Sequence, residues 1–303
     1  MIVAAIDIGT NSTRLMVAEV NGGIIVREIY RQAVITRLGR GVGMTGRLSD
    51  AAVLRTLEVL RDYAEIASSR EAVVIKAVAT SAMRDAANAS DLLVPALEIL
   101  KVKPEIIAGE DEAAFTYRGV LSDRATRALG QKFLVIDIGG GSTEIILGDN
   151  QRPESLKSLP LGCVRLTEAL FKSDPPLPGE ITALTLHVRR SLKDNFSRGV
   201  GAGAVPIAVA GTPTSLAAIE LNLAVYDRDK VHRYKLTRDN VAGHLAGLAS
   251  LPLAGRKAIV GLEPDRADVI ISGAAILLEI MTFFDFDYVL VSERDILDGV
   301  ALS

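Results

Sequence analysis

The sequence predicts an α/β protein assembled from two related halves, and three observations carry that prediction. AIDIGTNSTRLMV at 5–17 returns as VIDIGGGSTEIIL at 135–147, so that Ile6, Asp7, Ile8, Gly9, Ser12 and Thr13 fall on Ile136, Asp137, Ile138, Gly139, Ser142 and Thr143 at a constant offset of 130. Short runs rich in Val, Ile and Ala, punctuated by Gly and Asn, alternate with longer stretches of helical period. The apolar content of 49% comes mainly from Ala, Val, Ile and Leu, with no Trp, which suits strands covered by helices. A chain of 303 residues has ample material for two buried cores.

In chain order, residues 2–7, 14–20 and 24–30 read as strands, and a basic, glycine-punctuated loop, RLGRGVGMTGRLSD, follows them. Ser49 then starts a helical stretch whose apolar positions are 53, 54, 57, 60 and 64. AVVIKAVAT at 72–80 reads as a buried strand, and 91–100 as a helix despite Pro95. PEIIAGEDEAAFTYRGVL supplies a short strand, a glycine turn and a helix from about Glu110. The second half restarts at Phe133 with strand, polar turn and strand, then a third strand around 154–160. LTEALF and 180–197 read as helices separated by the turn-rich KSDPPLPGE, and AVPIAVAGTPTSLAAIEL as strand, tight turn and helix. Helices over 237–250, 254–261 and 266–282, a strand at DYVLVS and a closing helix in ERDILDGVALS complete the chain. The polar stretch SDRATRALGQ places a boundary near 122–131. The expected domains are 1–123 and 124–292, with the closing helix, 293–303, docking back on the first.

A net charge of −3 provides no general attraction for a polyanion, so an anionic substrate must be held by local charges, backbone amides or a metal, and extended nucleic acid is not an expected partner. One cysteine, Cys163, makes no internal disulfide, and three scattered histidines offer little to a metal. The N-terminus has too few apolar residues before Asp7 for a signal peptide. VIISGAAILLEIMTFF contains Glu279 and falls short of the roughly 20 residues of a membrane span, so it reads as a buried helix. A cytoplasmic protein with no membrane partner is expected.

The repeated turn explains itself through phosphate chemistry. Glycine allows close backbone approach, so successive amides can point at one anion while Ser and Thr hydroxyls add donors. An Asp at the strand end offers a hard oxygen to a hydrated Mg²⁺. A single such turn is more often an ornate hairpin, but two matching copies with Asp in the same place favour phosphate binding.

These paired loops resemble the two phosphate motifs of the actin, sugar kinase and Hsp70 ATPase superfamily. Within it, the two loops together with TSAMRDAAN, GEDEAAFTYRGV, LPLGCVRLTE, VAGTPTSLAAIE and DRADVIISGAAIL resemble, in order, the exopolyphosphatase and guanosine pentaphosphate phosphatase (Ppx/GppA) family. The resemblance implies two ribonuclease-H-like (actin-like ATPase) domains, with mixed sheets flanked by helices and a cleft between them. It also implies a Mg²⁺-dependent phosphohydrolase, with Mn²⁺ as a substitute metal, that releases terminal phosphate from polyphosphate or guanosine pentaphosphate (pppGpp). Family relatives often pair, so a homodimer is expected.

The family's catalytic glutamate falls on Glu112, where Gly109-Glu110-Asp111-Glu112-Ala113 stands for the signature GxEEA. Its first Glu is here an Asp, which leaves Asp111 and Glu110 as alternatives to Glu112. The competing reading of these acids is enrichment at a helix N-terminus. Arg84 resembles a cleft arginine that would offset transition-state charge, the alternative being a pair with Asp85 or Asp91. Expected phosphate contacts are Gly9, Thr10, Asn11, Ser12 and Arg14 in the first loop and Gly139, Gly140, Gly141, Ser142 and Thr143 in the second. Gly211, Thr212 and Arg266 are expected to assist them. Asp137 and Glu144, seven apart across the second loop, are expected to hold the metal, with Asp7 assisting through water. The alternatives for Arg14 and Glu144 are exposed strand positions. Arg37, Arg40 and Arg47 make a basic loop suited to a long phosphate chain. Pro213 fills the turn where ATP-using relatives are richer in glycine, which disfavours the second enzyme reading, a small-molecule kinase or ATPase of the same superfamily.

Overall fold

The computed structural model describes residues 1–197 and 199–303. The chain divides into two compact units, residues 1–124 with 294–303 and residues 125–293. In the first, β1 (Ile2–Ile8), β2 (Ser12–Asn21) and β3 (Ile24–Ile35) form an antiparallel meander. The chain continues through α1 (Val42–Thr45), α2 (Asp50–Ser69), β4 (Val74–Ala79), α3 (Ser81–Asp85), α4 (Ser90–Leu100), β5 (Glu105–Ile106) and α5 (Gly109–Val120), and α6 (Arg124–Arg127) spans the division in the chain between the two units. β4 and β5 add in parallel, giving the sheet order β3-β2-β1-β4-β5.

The second unit repeats that plan. β6 (Lys132–Ile138), β7 (Thr143–Asp149) and β8 (Pro153–Leu159) are again an antiparallel meander. They are followed by α7 (Cys163–Leu170), α8 (Pro178–Asn195), β9 (Val205–Val209), α9 (Gly211–Glu220), α10 (Arg228–Val231), β10 (Lys235–Thr237), α11 (Arg238–Ala249), α12 (Leu253–Lys257), a 3-10 turn at Pro264–Arg266, α13 (Ile270–Phe283) and β11 (Tyr288–Val291). The order β8-β7-β6-β9-β11 matches the first sheet strand for strand, and β10 extends it by one antiparallel strand. The closing helix α14 (Ile296–Ala301) belongs to the first unit.

Each element follows from its residues. Ser49 caps α2 by accepting from the Ala52 N–H, and the helix buries Val53, Leu57 and Leu60 against Ile6, Leu15 and Leu92. In the second unit the central strands and α13 form one core that includes Leu134, Ile136, Ala274 and Leu277. Apolar residues on successive positions of β1 and β6 are buried on both faces, which is why these strands read as continuous hydrophobic runs. α13 is the buried helix expected from its sequence, and its Glu279 is matched by both Arg189 Nε and Nη2 at 2.9 Å. Among the described residues, no helix is long and apolar enough to cross a membrane.

The differences from the expected elements are local. β3 runs to Ile35 rather than stopping at residue 30, because its edge is held along the whole of β2. The basic loop contains the single turn α1 between two left-handed glycines, Gly41 and Gly46. The helix expected over 254–261 is confined to α12, and the one expected from 266 begins at Ile270, the preceding residues forming the 3-10 turn.

Candidate active site

The two hairpin loops have the same internal geometry. Gly9 N–H donates to Ser12 O at 3.0 Å, and Gly139 N–H donates to Ser142 O at 3.0 Å. A Cβ on Gly9 would lie 2.8 Å from Ser12 O, and one on Gly139 would lie 3.1 Å from Ser142 O, so the turn closes tightly only with glycine at its head. The N–H groups of Thr10 and Asn11 in one loop and Gly140 and Gly141 in the other donate to no group among the described residues. Successive amides without protein acceptors are what an anion-binding nest requires.

In the first unit, the loop is braced by its surroundings through other atoms. Thr10 O and Asn11 O accept from the N–H groups of Gly39 and Arg37 at 2.8 and 2.9 Å, which ties the basic loop to the hairpin. Thr10 Oγ1 accepts from Ala82 N–H at 3.1 Å, which ties it to α3. Arg84, on that same short helix, donates from Nη1 to Glu112 Oε2 at 2.7 Å and to Ile107 O at 2.9 Å. Glu112 and Arg84 are therefore neighbours, and Arg84 reaches across to α5 instead of to the nearby Asp91, which accepts from Asn88. Of the three acids opening α5, Glu110 and Asp111 are exposed and Glu112 is buried. Arg40 and Arg47 are exposed, and Arg37 is half-buried with a left-handed backbone at φ 50°.

Asp7, the penultimate residue of β1, lies directly across from Arg14 on β2, and Asp137, the penultimate residue of β6, directly across from Glu144 on β7. Residues opposite one another in an antiparallel pair project from the same face, so each hairpin carries a side-chain pair beneath its loop. In the first pair Arg14 donates to Asp7 Oδ2 from both Nε and Nη2, at 2.9 and 2.6 Å. Burial raises the Asp7 carboxyl, and Arg14 opposes it. In the second pair two carboxylates face one another, both buried, and Glu144 Oε1 accepts from Ser158 Oγ at 2.7 Å. Neither Arg14, with a side chain 18% exposed, nor Glu144 is an exposed strand position.

The second loop is held from behind by α7. Cys163 N–H donates to Gly139 O, and the N–H groups of Val164 and Arg165 to Gly140 O. Arg165 Nε donates to Gly141 O at 2.8 Å, and Thr143 Oγ1 to Leu161 O. The Gly211 position packs beneath Arg266, whose Nη1 would lie 1.9 Å from a Cβ there, while Arg266 Nε donates to Glu263. Thr212 is buried against Gly273 of α13, and Pro213 is buried within the first turn of α9. Ala210, just before that helix, has φ 70°, an unusual conformation for a residue with a Cβ.

This duplicated architecture has known counterparts. A sequence model described as the Ppx/GppA phosphatase family matches residues 16–303. The chain belongs to the Ppx/GppA family. It is 36% identical to exopolyphosphatase 2 of Mycobacterium tuberculosis over 314 residues, covering 99% of this chain and 98% of that protein. The crystal structure of the Aquifex aeolicus Ppx/GppA family member aligns with a TM-score of 0.83 at 33% identity, over 100% of this chain and 96% of that one. That of an exopolyphosphatase-like protein aligns with a TM-score of 0.92 at 29% identity, over 99% and 96% of the two chains. The Ppx/GppA relatives give the two sheets their class: each unit is a ribonuclease-H-like, actin-like ATPase domain with helices flanking a mixed sheet.

For this Ppx/GppA chain, the donors present suit a hard divalent cation. Asp7 Oδ1 is buried and has no hydrogen-bond partner among the described residues, and Asp137 and Glu144, opposite one another in the β6–β7 pair, offer hard carboxylate oxygens. Sequence reasoning did not single out Ser158, Arg165 or Asp295, which support Glu144, the second loop and Arg14 respectively. Asp295 lies 281 positions from Arg14, and no local pattern signals such a pairing.

Proposed function

We propose that this protein is a Mg²⁺- or Mn²⁺-dependent exopolyphosphatase that releases the terminal phosphate of inorganic polyphosphate, with the 5′-γ-phosphate of pppGpp as a further substrate. The observation that carries the reading is the pair of loops with matching turns whose amides at Thr10, Asn11, Gly140 and Gly141 have no acceptor among the described residues. The name of the M. tuberculosis relative, which spans nearly the same length, supports polyphosphate as the substrate.

The amides of the loops, with the hydroxyls of Ser12 and Ser142, take phosphate oxygens; the Thr143 hydroxyl, expected to join them, instead spends its proton on the Leu161 carbonyl. Asp137 and Glu144 would hold a divalent cation, which when bound would neutralise charge on the phosphates, and the buried Asp7 Oδ1 would accept from water. Glu112 accepts a proton from water as that water attacks the terminal phosphorus. The anhydride oxygen leaves with the remaining chain. Arg84 fixes the Glu112 carboxylate through its 2.7 Å contact and adds positive charge beside it. The hydrolytic reading, as opposed to transfer to an acceptor hydroxyl, rests on Glu112 being the buried member of an acidic run whose other members are exposed. The protein acts in the cytoplasm, as a homodimer.

The test is phosphate release from long polyphosphate, short polyphosphate and pppGpp, wild type beside Glu112→Ala. Loss of a general base predicts turnover lowered by about 10²–10⁴-fold with KM little changed. Undiminished turnover in the variant would move the base elsewhere. Consumption of ATP only when a hydroxyl acceptor is supplied would replace the hydrolase by a kinase.

A further inference from the structure

The hydrogen bonds between Arg14 and Asp7 are unusual in one respect. A guanidinium meeting an isolated carboxylate commonly uses two nitrogens on two oxygens. Here Nε and Nη2 both donate to Oδ2 of Asp7, and Oδ1 is left buried with no partner among the described residues. The third nitrogen, Nη1, donates to Asp295 Oδ2 at 2.5 Å. Asp295 thus draws the guanidinium sideways, off the second oxygen of Asp7.

Asp295 is itself rigidly placed. Its Oδ1 accepts from Leu297 N–H at 3.0 Å, capping α14, and from Arg31 Nη1 at 3.3 Å. Its backbone N–H donates to Asp298 Oδ2 at 3.1 Å, and Asp298, fully buried, also accepts from Arg31 and Arg294 at 2.7 Å. Burial would lower the Arg31 guanidinium, but Asp298, Asp295 and Glu28 outweigh it and hold Arg31 firmly charged. The Asp295 carbonyl lies against Gly119 of α5, where a Cβ would come within 1.8 Å, and Phe115 O lies as close to Gly299 of α14. α5 is the helix whose first turn carries Glu112. One residue near the end of the chain therefore touches both the hairpin bearing Asp7 and the helix bearing Glu112.

We infer that Asp295 is a positioning residue: by sharing Arg14 with Asp7 it keeps Asp7 Oδ1 open for a cation or its water. The inference rests on the phosphohydrolase reading for its effect on turnover but not for its effect on Asp7. In Asp295→Asn the side-chain oxygen still caps α14, while the charge that draws Arg14 aside is gone, so Arg14 turns onto both oxygens of Asp7.

The experiment compares wild type, Asp295→Asn, Asp7→Asn and the double variant by Mn²⁺ titration followed by electron paramagnetic resonance, by kcat and KM on polyphosphate, and by Tm. Supporting groups behind metal ligands typically alter affinity or activity by 10–100-fold, so Asp295→Asn should weaken Mn²⁺ binding and lower kcat by about tenfold. KM should hold, and Tm should move by no more than about 3 °C. On the Asp7→Asn background, Asp295→Asn should change neither quantity further, because with Arg14 on the amide oxygen the open position is an N–H₂ group, which binds no cation. Equal losses on both backgrounds, Mn²⁺ affinity unaltered by Asp295→Asn, or a wild type that binds no Mn²⁺ would overturn the inference. Should Asp295→Asn not fold, Asp295→Ser, also a cap without the charge, replaces it; failure of both to fold would likewise overturn it, showing the residue to be architectural. Wild type that binds Mn²⁺ in the predicted Asp295-dependent way but releases no phosphate from polyphosphate would sink the proposed substrate and leave the inference standing.

Discussion

Cys163 illustrates how far residue identity alone carries. It opens α7, is buried, and spends its backbone N–H on the Gly139 carbonyl. Burial pushes its thiol up to about 11, against the pull of Arg266. At pH 8 the thiolate is therefore scarce, and iodoacetamide should leave native Cys163 unmodified while labelling it once the chain is unfolded, as mass spectrometry would read. The sign of the pH dependence follows: burial favours the neutral thiol, so its contribution to stability is full below pH 9.0 and is lost as pH climbs towards 11. Urea midpoints of wild type should fall more over that range than those of Cys163→Ala. That it makes no internal disulfide was legible from its being the one cysteine of the sequence. Its seat behind the second loop was not, because that depends on where α7 is docked.

At the scale of elements, α7 shows how a helix can fix a loop it does not contain. Gly162 precedes it at φ −101°, an ordinary conformation, so its glycine is required by space alone. A Cβ there would sit 2.1 Å from Gly140 O and 2.3 Å from the Gly141 carbonyl carbon, both backbone atoms that cannot rotate away. Gly162→Ala should push the second loop and α7 apart, costing about 1–3 kcal/mol by overpacking. Denaturant unfolding would measure that cost. Phosphate release should drop by more than stability does, since the displaced segment carries the amides of Gly140 and Gly141. Retained activity with lowered stability would show that the loop tolerates the shift. The longer strands and helices were readable from periodicity, whereas β10, the 3-10 turn at Pro264–Arg266 and the short helices α1, α3, α6 and α10 were not, being three to five residues long and too short for hydrophobic spacing to encode.

For the whole molecule, the first unit is discontinuous, because residues 294–303 complete it. Ile296, Leu297 and Val300 are each about 1% exposed, in a cluster with Val3, Ala5, Met16 and Ile107. Burying three such side chains is worth about 5 kcal/mol or more, a large part of the roughly 5–15 kcal/mol that stabilises a typical protein. Ending the chain at Glu293 should therefore unfold or loosen the first unit. Hydrogen exchange should then show protection lost throughout peptides of residues 1–124. Native-like protection there would mean that α14 is dispensable to that core.

The sequence by itself determined the duplication, the order of the longer strands and helices, the tight Gly–Ser turns and the family to which they belong. All of these are local: a period of two, a period of 3.6, or a run of residues whose backbone freedom and donors suffice to specify a turn. Only the tertiary structure decided that Glu112 meets Arg84, that Glu110 and Asp111 stay in solvent, and that Asp295 shares Arg14 with Asp7. Those outcomes depend on which side chains are brought together from positions 28 and 281 residues apart, and on how burial and charge are then settled between them. Packing sets both, and it is a property of the assembled fold.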